Sequence, residues 1–505
     1  MSEVRAEEIP AEERGEETVE ELIPQQLGIG ALAHDAVIYG GTRVALKSLA
    51  FLLVPLYAHF LTRSQFGVLE LILAATAFID SFIDLSGTLA RFYFDRDEPG
   101  WRRQAITLFL AIESIYPLFL LGGLIIASRP IADLVLGNPA YAALLVIALC
   151  DLYLTNIVDV PLALCRLRRK PWTFAGYTAA RAVPQILLSV LLVAVLHMRV
   201  KGILIASLSA ACIIFVVTAR EYVHDLTRRV DWSVGREMIS FSWPTIVSAL
   251  SFYALNLLDR FFVRHYHGLA DNGLYGVGFR YSQIVLVGVF AFRMGWPQWH
   301  YSWLHSGRHQ QMVARGANYY FLGIGFLTVL VSAWILPLFH LIMPERYWAG
   351  TRAVAPLSLA ALGTGAYMVA GVGLNVTKRM RLIPPTALAG GAIAIGLYFL
   401  LIPPYSYVGA AWATAASFGA LGLIVAAVSQ RIYPIPWDFR RLVPAIGLTV
   451  GLSVASLGVD AWMPLGASLP VRVAITLAFP AILLAVGFFT PSDRAAFRRV
   501  VLRGR

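Results

Sequence analysis

Charge is scarce in this sequence. Only 14% of its 505 residues are Asp, Glu, Lys or Arg, and 58% are hydrophobic; a soluble domain carries about 25% charged residues. That balance excludes an ordinary soluble globule. Cysteine is scarcer still. Cys150, Cys165 and Cys212 show no C-x-x-C or metal-ligand spacing, so no disulfide and no metal site is expected. P-loop, Walker and hydrolase motifs are missing. The chain is therefore expected to hold no ATPase, to be no enzyme and to need no cofactor. The start of the chain does not read as a signal peptide either. Residues 1–21 hold nine glutamates and two arginines and lack an apolar centre. Residues 1–35 are expected to form an acidic, disordered cytoplasmic tail.

What the sequence does have is long apolar runs. A membrane-crossing helix needs about 20 mostly apolar residues. Fourteen candidates occur, at 36–60, 66–90, 105–127, 141–164, 172–196, 203–220, 241–264, 274–299, 316–342, 353–376, 383–402, 407–429, 442–461 and 471–490. They are too long and too continuously apolar for barrel strands. Basic residues concentrate in alternate connections, such as "RLRRK" (166–170), "KRMR" (378–381) and the C-terminal "DRAAFRRVVLRGR" (493–505). Positive segments stay in the cytoplasm, so both termini are expected inside. Outer connections then reach no more than about a dozen residues, too little for a membrane polymerase that works through a large outer loop.

A short repeat suggests two halves. "FLTRSQFGVLELI" (60–72) and "GLADNGLYGVGFRYS" (268–282) each enter a span through aromatic–Gly–Val, with Gly67 and Gly276 lying 209 residues apart. Phe66 and Tyr275 are the aromatic partners. This pairs spans 1 and 2 with spans 7 and 8, as in a transporter built from internal repeats. The expected organisation is an N-lobe over 36–237 (spans 1–6) and a C-lobe over 238–430 (spans 7–12). Residues 431–505 would hold spans 13–14 and a basic cytoplasmic end.

Charges inside these spans are few and notable. Arg43, Lys47, Arg181, Arg260, Arg280 and Arg293 are basic; Glu70, Asp80, Asp84, Glu113, Asp151, Asp159 and Asp259 are acidic. Each would cost about 2.5–3.5 kcal/mol at a lipid-facing helix centre, so most must face protein or water. Arg43 and Lys47 share a helix face, as do Asp80 and Asp84, and Asp151, Thr155 and Asp159 form one stripe. Arg280 and Arg293 are 13 residues apart, over about 100° around an ideal helix, so only one of them can face a common cavity squarely. No clear mid-span charge is expected beyond residue 300. Two readings fit the set. The residues form internal salt bridges, or they line an aqueous cavity with a cationic wall for an anionic substrate and carboxylates for a coupling H⁺ or Na⁺. Arg suits phosphate because its planar fork donates two parallel hydrogen bonds. Trp296, Trp299, Tyr301 and Trp303 are expected as interfacial anchors, and His265 and His267 as solvated loop residues.

The segment "FSWPTIVSALSFYALNLLDRFFVRHYHGLADNGLYGVGFRYS" (241–282) resembles the centre of the polysaccharide transport family, the Wzx-type O-antigen and exopolysaccharide flippases. "PLYAHFLTRSQFGVLEL" (55–71) is similar to that family's first hairpin, and "DLSGTLARFYF" (84–94) to the end of its second span. The resemblance implies an all-α fold of about fourteen transmembrane helices: two six-helix lobes in a V around a central cavity, plus two C-terminal helices. It implies membership of the multidrug/oligosaccharidyl-lipid/polysaccharide exporter superfamily. The implied activity is flipping of undecaprenyl-pyrophosphate-linked oligosaccharide to the outer leaflet of a bacterial inner membrane. Asp259 and Arg260 match the family's Asp-Arg, and Arg280 follows its Tyr-Gly-Val. The substrate-binding set is then Arg43, Lys47, Arg181, Arg260, Arg280 and Arg293, with Asp80, Asp84, Asp151 and Asp159 as ion-coupling candidates. The implied partners are a polyprenyl-linked glycan, membrane lipids and glycosyltransferases or a polysaccharide polymerase, without nucleic acid, and with the chain a monomer. The alternatives are a cation-coupled drug antiporter of the same superfamily and a non-transporting scaffold of a glycan-synthesis complex.

Overall fold

The computed structural model describes residues 41–42, 51, 53–83, 86–95, 99–227 and 230–488. Arg43, Lys47, Asp84, the acidic tail and the basic C-terminal segment lie outside them. All regular structure among the described residues is helical. In chain order the helices are α1 (53–60), α2 (Arg63–Ile83), α3 (Ser86–Tyr93), α4 (Pro99–Ile126), α5 (Ser128–Leu136), α6 (Ala142–Leu167), α7 (Pro171–Val190) and α8 (Arg199–Asp225). They continue with α9 (Trp232–Tyr301), α10 (His309–Ile342), α11 (Val354–Ala370), α12 (Val372–Val376), α13 (Ile383–Ile432), α14 (Phe439–Trp462) and α15 (Leu465–Ala485).

Among the described residues, eleven helical stretches are long and apolar enough to cross a membrane. Two of them, Leu255–Tyr301 with 47 residues and Met380–Ile432 with 53, would extend about 70–80 Å if straight. That is more than twice the hydrocarbon thickness of about 30 Å, so each must turn back. They do so at single residues. Gly268 in α9 takes φ 84°, ψ −173°, a region that only glycine enters without strain. Ser406 in α13 takes φ 51°, just after Pro403 and Pro404, whose missing N–H groups weaken the helix there. The two turns support one another: His267 donates to the Ile402 carbonyl at 2.9 Å and Ser406 donates to Asp271 at 2.5 Å. His267 is thus tied to the fold, not free in a loop. With both stretches counted twice, the described chain makes thirteen passes. The predicted first span adds a fourteenth, only part of which, α1, is described.

Residues before 230 and after 255 meet at the end of the molecule where these hairpins turn. Ideal methyl groups placed on Gly67 and Gly273 would lie 2.0 Å from the carbonyl oxygens of Leu269 and Arg63 respectively. The α2 and α9 backbones therefore touch, an approach that side chains would prevent. Around this crossing, donors from the second half take up carbonyls of the first. Arg346 donates to Ala58 and His59 (2.7 and 2.6 Å), and Tyr347 donates to Leu61 at 3.0 Å. Asn272 donates to Gly67 and Arg264 to Leu134, each at 3.0 Å. Ala58 and His59, near the end of α1, and Leu134, near the end of α5, belong to the last helical turns, whose carbonyls lack intrahelical partners.

The last two helices dock on α10. Arg472, fully buried in α15, donates to Asp460 of α14 at 2.7 Å, to Ser468 at 3.0 Å and to the Ala333 carbonyl of α10 at 2.5 Å. This departs from the expectation of no mid-span charge beyond residue 300: the boundary drawn at 471 left Arg472 at a span edge, whereas α15 begins at Leu465. Trp296 departs from the anchor reading as well. It is buried and stacks on Phe292 and Trp299 at centroid distances of 5.1 and 5.5 Å, because α10 presents Gly316 against its ring.

Candidate functional site: a charge cluster and a cavity

One turn of α2 inward from the glycine crossing, four charged side chains meet. Glu70 accepts from Arg280 Nε at 2.5 Å and lies 3.8 Å from Arg260 Nε. Arg260 in turn pairs with Asp259 at 3.2 Å. Asp259 and Arg260 are 0% and 2% exposed, so every polar atom needs a protein partner. Asp259 accepts from the Tyr275 hydroxyl, from Thr414 at 3.3 Å and from the Arg260 backbone at 2.8 Å. Arg260 also donates to the Asn256 carbonyl at 2.9 Å, and its guanidinium carbon lies 4.1 Å from the Phe279 ring centroid. Two acids and two arginines balance, which makes burial tolerable. Gly276 makes the room: an added methyl would meet Glu70 Cγ at 2.2 Å. The Tyr-Gly-Val motif therefore has a physical role. Tyr275 bonds Asp259, and Gly276 lets Glu70 in.

Beside this cluster opens a cavity of about 940 Å³. Its walls come from both arms of α9, from α11 and α12, and from α13, and among the described residues Ala77 of α2 is the lining residue from the first half. Most of the lining is aliphatic or aromatic, including Phe279, Leu357, Phe418 and Val425. Asn256 and Thr414 lie at the end next to the charge cluster. Arg293 lines the other end, 14 residues beyond Phe279 along the second arm of α9, about 21 Å at 1.5 Å per residue. Arg293 is exposed and makes no ion pair among the described residues. A mostly apolar cavity with a few placed polar groups is what ligand sites generally show.

The sequence model of a family described as polysaccharide biosynthesis protein matches residues 32–295, more than half of the chain. The chain belongs to the polysaccharide biosynthesis protein family. No curated protein sequence matches it. Among solved structures, this polysaccharide biosynthesis protein is similar to "Lipid II flippase MurJ, inward closed conformation". The TM-score is 0.68 at 12% identity, over 88% of this chain and 98% of that one. It is also similar to the Vibrio cholerae MATE transporter VcmN in the bent form, with TM-score 0.55, 15% identity and coverage of 80% and 98%. An inward-facing multidrug resistance MATE family transporter gives TM-score 0.56 at 13% identity, over 82% and 97%. At these identities the likeness is one of fold. The family member is a multi-pass membrane protein with the all-α transporter fold expected from its sequence.

Within this polysaccharide biosynthesis protein the described site residues predicted from the sequence separate into four places. Asp259, Arg260, Tyr275, Gly276 and Arg280 join in the cluster, together with Glu70, which the sequence offered as an acid inside a span but not as a site residue. Gly67 forms the helix crossing. Arg293 stands on the cavity wall, so of the Arg280–Arg293 pair it is Arg293 that faces the cavity, and Arg280 turns to Glu70.

Arg181, Asp151, Asp80 and Asp159 lie apart, in α2, α6 and α7 of the first half. There Arg181 donates to Thr155 at 2.8 Å, Ser207 donates to Asp151 at 2.7 Å, and Asn156 donates to Asp80 at 3.1 Å. Asp159 is exposed on α6. Thr414, Asn256 and Phe279 were not singled out as site residues. Neutral side chains in apolar spans give no signal of their own.

Proposed function

We propose that the protein is a flippase that moves undecaprenyl-pyrophosphate-linked oligosaccharide from the cytoplasmic to the outer leaflet of a bacterial inner membrane, by alternating access. The observation that carries this reading is the pairing of a closed joint with a cavity at opposite depths of the same helices. The halves are knitted at the hairpin end, which the charge bias puts outside. The cavity extends toward the other end and carries Arg293. An amphiphile with an anionic head and an apolar chain fits walls that are mostly apolar and bear Arg293, a cation without an ion pair among the described residues. The pyrophosphate would engage Arg293, together with Arg43, Lys47 and Arg181 from the first half. The acids Asp80, Asp84, Asp151 and Asp159 would serve ion coupling. The polyprenyl chain would stay in lipid.

The test is transport of a labelled lipid-linked oligosaccharide in reconstituted vesicles. Arg293→Ala is expected to lower the initial rate at least tenfold while Arg293→Lys retains part of it. Undiminished flipping in Arg293→Ala, Arg43→Ala and Lys47→Ala alike would refute phosphate docking on these residues.

A further inference from the structure

Phe279 has neighbours of opposite kind on its two sides. Its half-buried side chain lines the cavity, and its ring covers the Arg260 guanidinium at 4.1 Å. Asn256 and Thr414 repeat this arrangement. Each lines the cavity and each bonds the cluster, through the Arg260–Asn256 carbonyl bond and the Thr414–Asp259 bond. A single layer of residues therefore separates the cavity from the charges that join α2 to α9. Among the ion contacts of the cluster, the one between Arg260 and Glu70 at 3.8 Å is the longest, against 3.2 Å to Asp259 and 2.5 Å between Arg280 and Glu70. It is the weakest link, and it is one of the two that cross between the halves.

We propose that Phe279 is a positioning residue that couples occupancy of the cavity to the joint between the halves. When the anionic head group moves on from Arg293 to the deep end of the cavity, it displaces the ring, and Arg260 turns from Glu70 to the head group. Arg260 keeps Asp259 and Glu70 keeps Arg280, so no buried charge is left without a partner. What is lost is one of two ion contacts across the joint, together with a cation–π contact of the kind that favours the covered state. The closed end is thereby loosened only when an anion is present to take the place of Glu70. This rests on the reading of the cavity as a lipid-pyrophosphate site.

The experiment uses the full chain in phosphatidylcholine nanodiscs, with Cys150, Cys165 and Cys212 replaced by serine and spin labels on Thr62→Cys and Glu345→Cys. Both label positions are exposed and lie on opposite sides of the joint. Undecaprenyl pyrophosphate is added to saturation, judged by lipid retained per protein. The otherwise unsubstituted chain is expected to show a longer label-to-label distance with lipid. Phe279→Leu, at its own saturation, is expected to lose that shift, and Phe279→Tyr, which keeps a π face, to recover it. The same lipid-dependent shift in Phe279→Leu would overturn the coupling role while leaving the site reading intact. Lipid retention without any shift in the unsubstituted chain would also overturn it. No lipid retention by the unsubstituted chain would overturn the site reading, and the coupling with it.

Discussion

Glu70 of α2 and Arg280 of α9 form a 2.5 Å ion pair between residues 210 positions apart in the chain. With Asp259 and Arg260 they make a cluster whose net charge is zero. The balance predicts a specific pattern of stability. Glu70→Gln leaves two arginines facing one acid, and loss of one partner of a buried pair costs about 3–5 kcal/mol. Arg280→Gln costs less, since Arg280 is a quarter exposed. The double variant restores the balance and is expected to unfold at a higher temperature than Glu70→Gln alone. Thermal unfolding in detergent measures all three, and simply additive losses would refute the pairing.

The helix crossing gives a second expectation. Gly67→Ala and Gly273→Ala each drive a methyl group against a backbone carbonyl that can retreat only if the helices part. Each is expected to destabilise by about 1–3 kcal/mol, the range for overpacking. Gly391→Ala in α13, where nothing lies within 4 Å, is the control and should stay within about 0.5 kcal/mol of the parent.

A third concerns the docking of α14 and α15. Arg472→Met leaves the Asp460 carboxylate in the interior without its cation, with one oxygen already lacking a bond. A loss of about 3–5 kcal/mol is expected, and adding Asp460→Leu should recover most of it. Protease digestion that releases residues beyond 431 faster in the single variant than in the double would show that this pair holds the two helices to α10.

The start of α9 titrates. Hydrogen bonds from Ser233 to Asp231, at 2.9 Å for the backbone N–H, hold this carboxyl below the usual carboxylate range. A depressed folded value means the stabilising bond is fully present above the unfolded Asp value of about 3.9 and is lost as pH falls through the folded value. Amide exchange at residues 233–235, corrected for intrinsic rate, should therefore be protected from neutral pH down to the unfolded value and accelerate below it. In Asp231→Asn the acid-dependent acceleration should disappear.

Much of the architecture was legible. Span number followed from apolar run length, and the hairpin turns at Gly268 and near Pro403-Pro404 fell in the short polar connections. The repeat around Gly67 and Gly276 marked the two hairpins that do touch. The cluster was only half legible. Asp259, Arg260 and Arg280 stood out as charges within the segment that carries the family resemblance, whereas Glu70 stood out only as one of seven acids inside the spans. Which helix face each charge occupies depends on the rotation of α2 against α9, and no local pattern encodes that. Arg472 was missed because its span was started at the last run of apolar residues, six positions after the helix begins.

From the sequence alone came the membrane class, the number of passes and the list of charges that could not face lipid. Those follow from one chain segment meeting one solvent, the bilayer, whose thickness and low polarity act on every residue independently. The tertiary structure decided which charges neutralise each other and that Arg293 stands on a cavity wall. Pairing energies depend on separation and on the surrounding dielectric, and the short distances between Glu70 and Arg280 and between Asp460 and Arg472 exist only once the helices are packed.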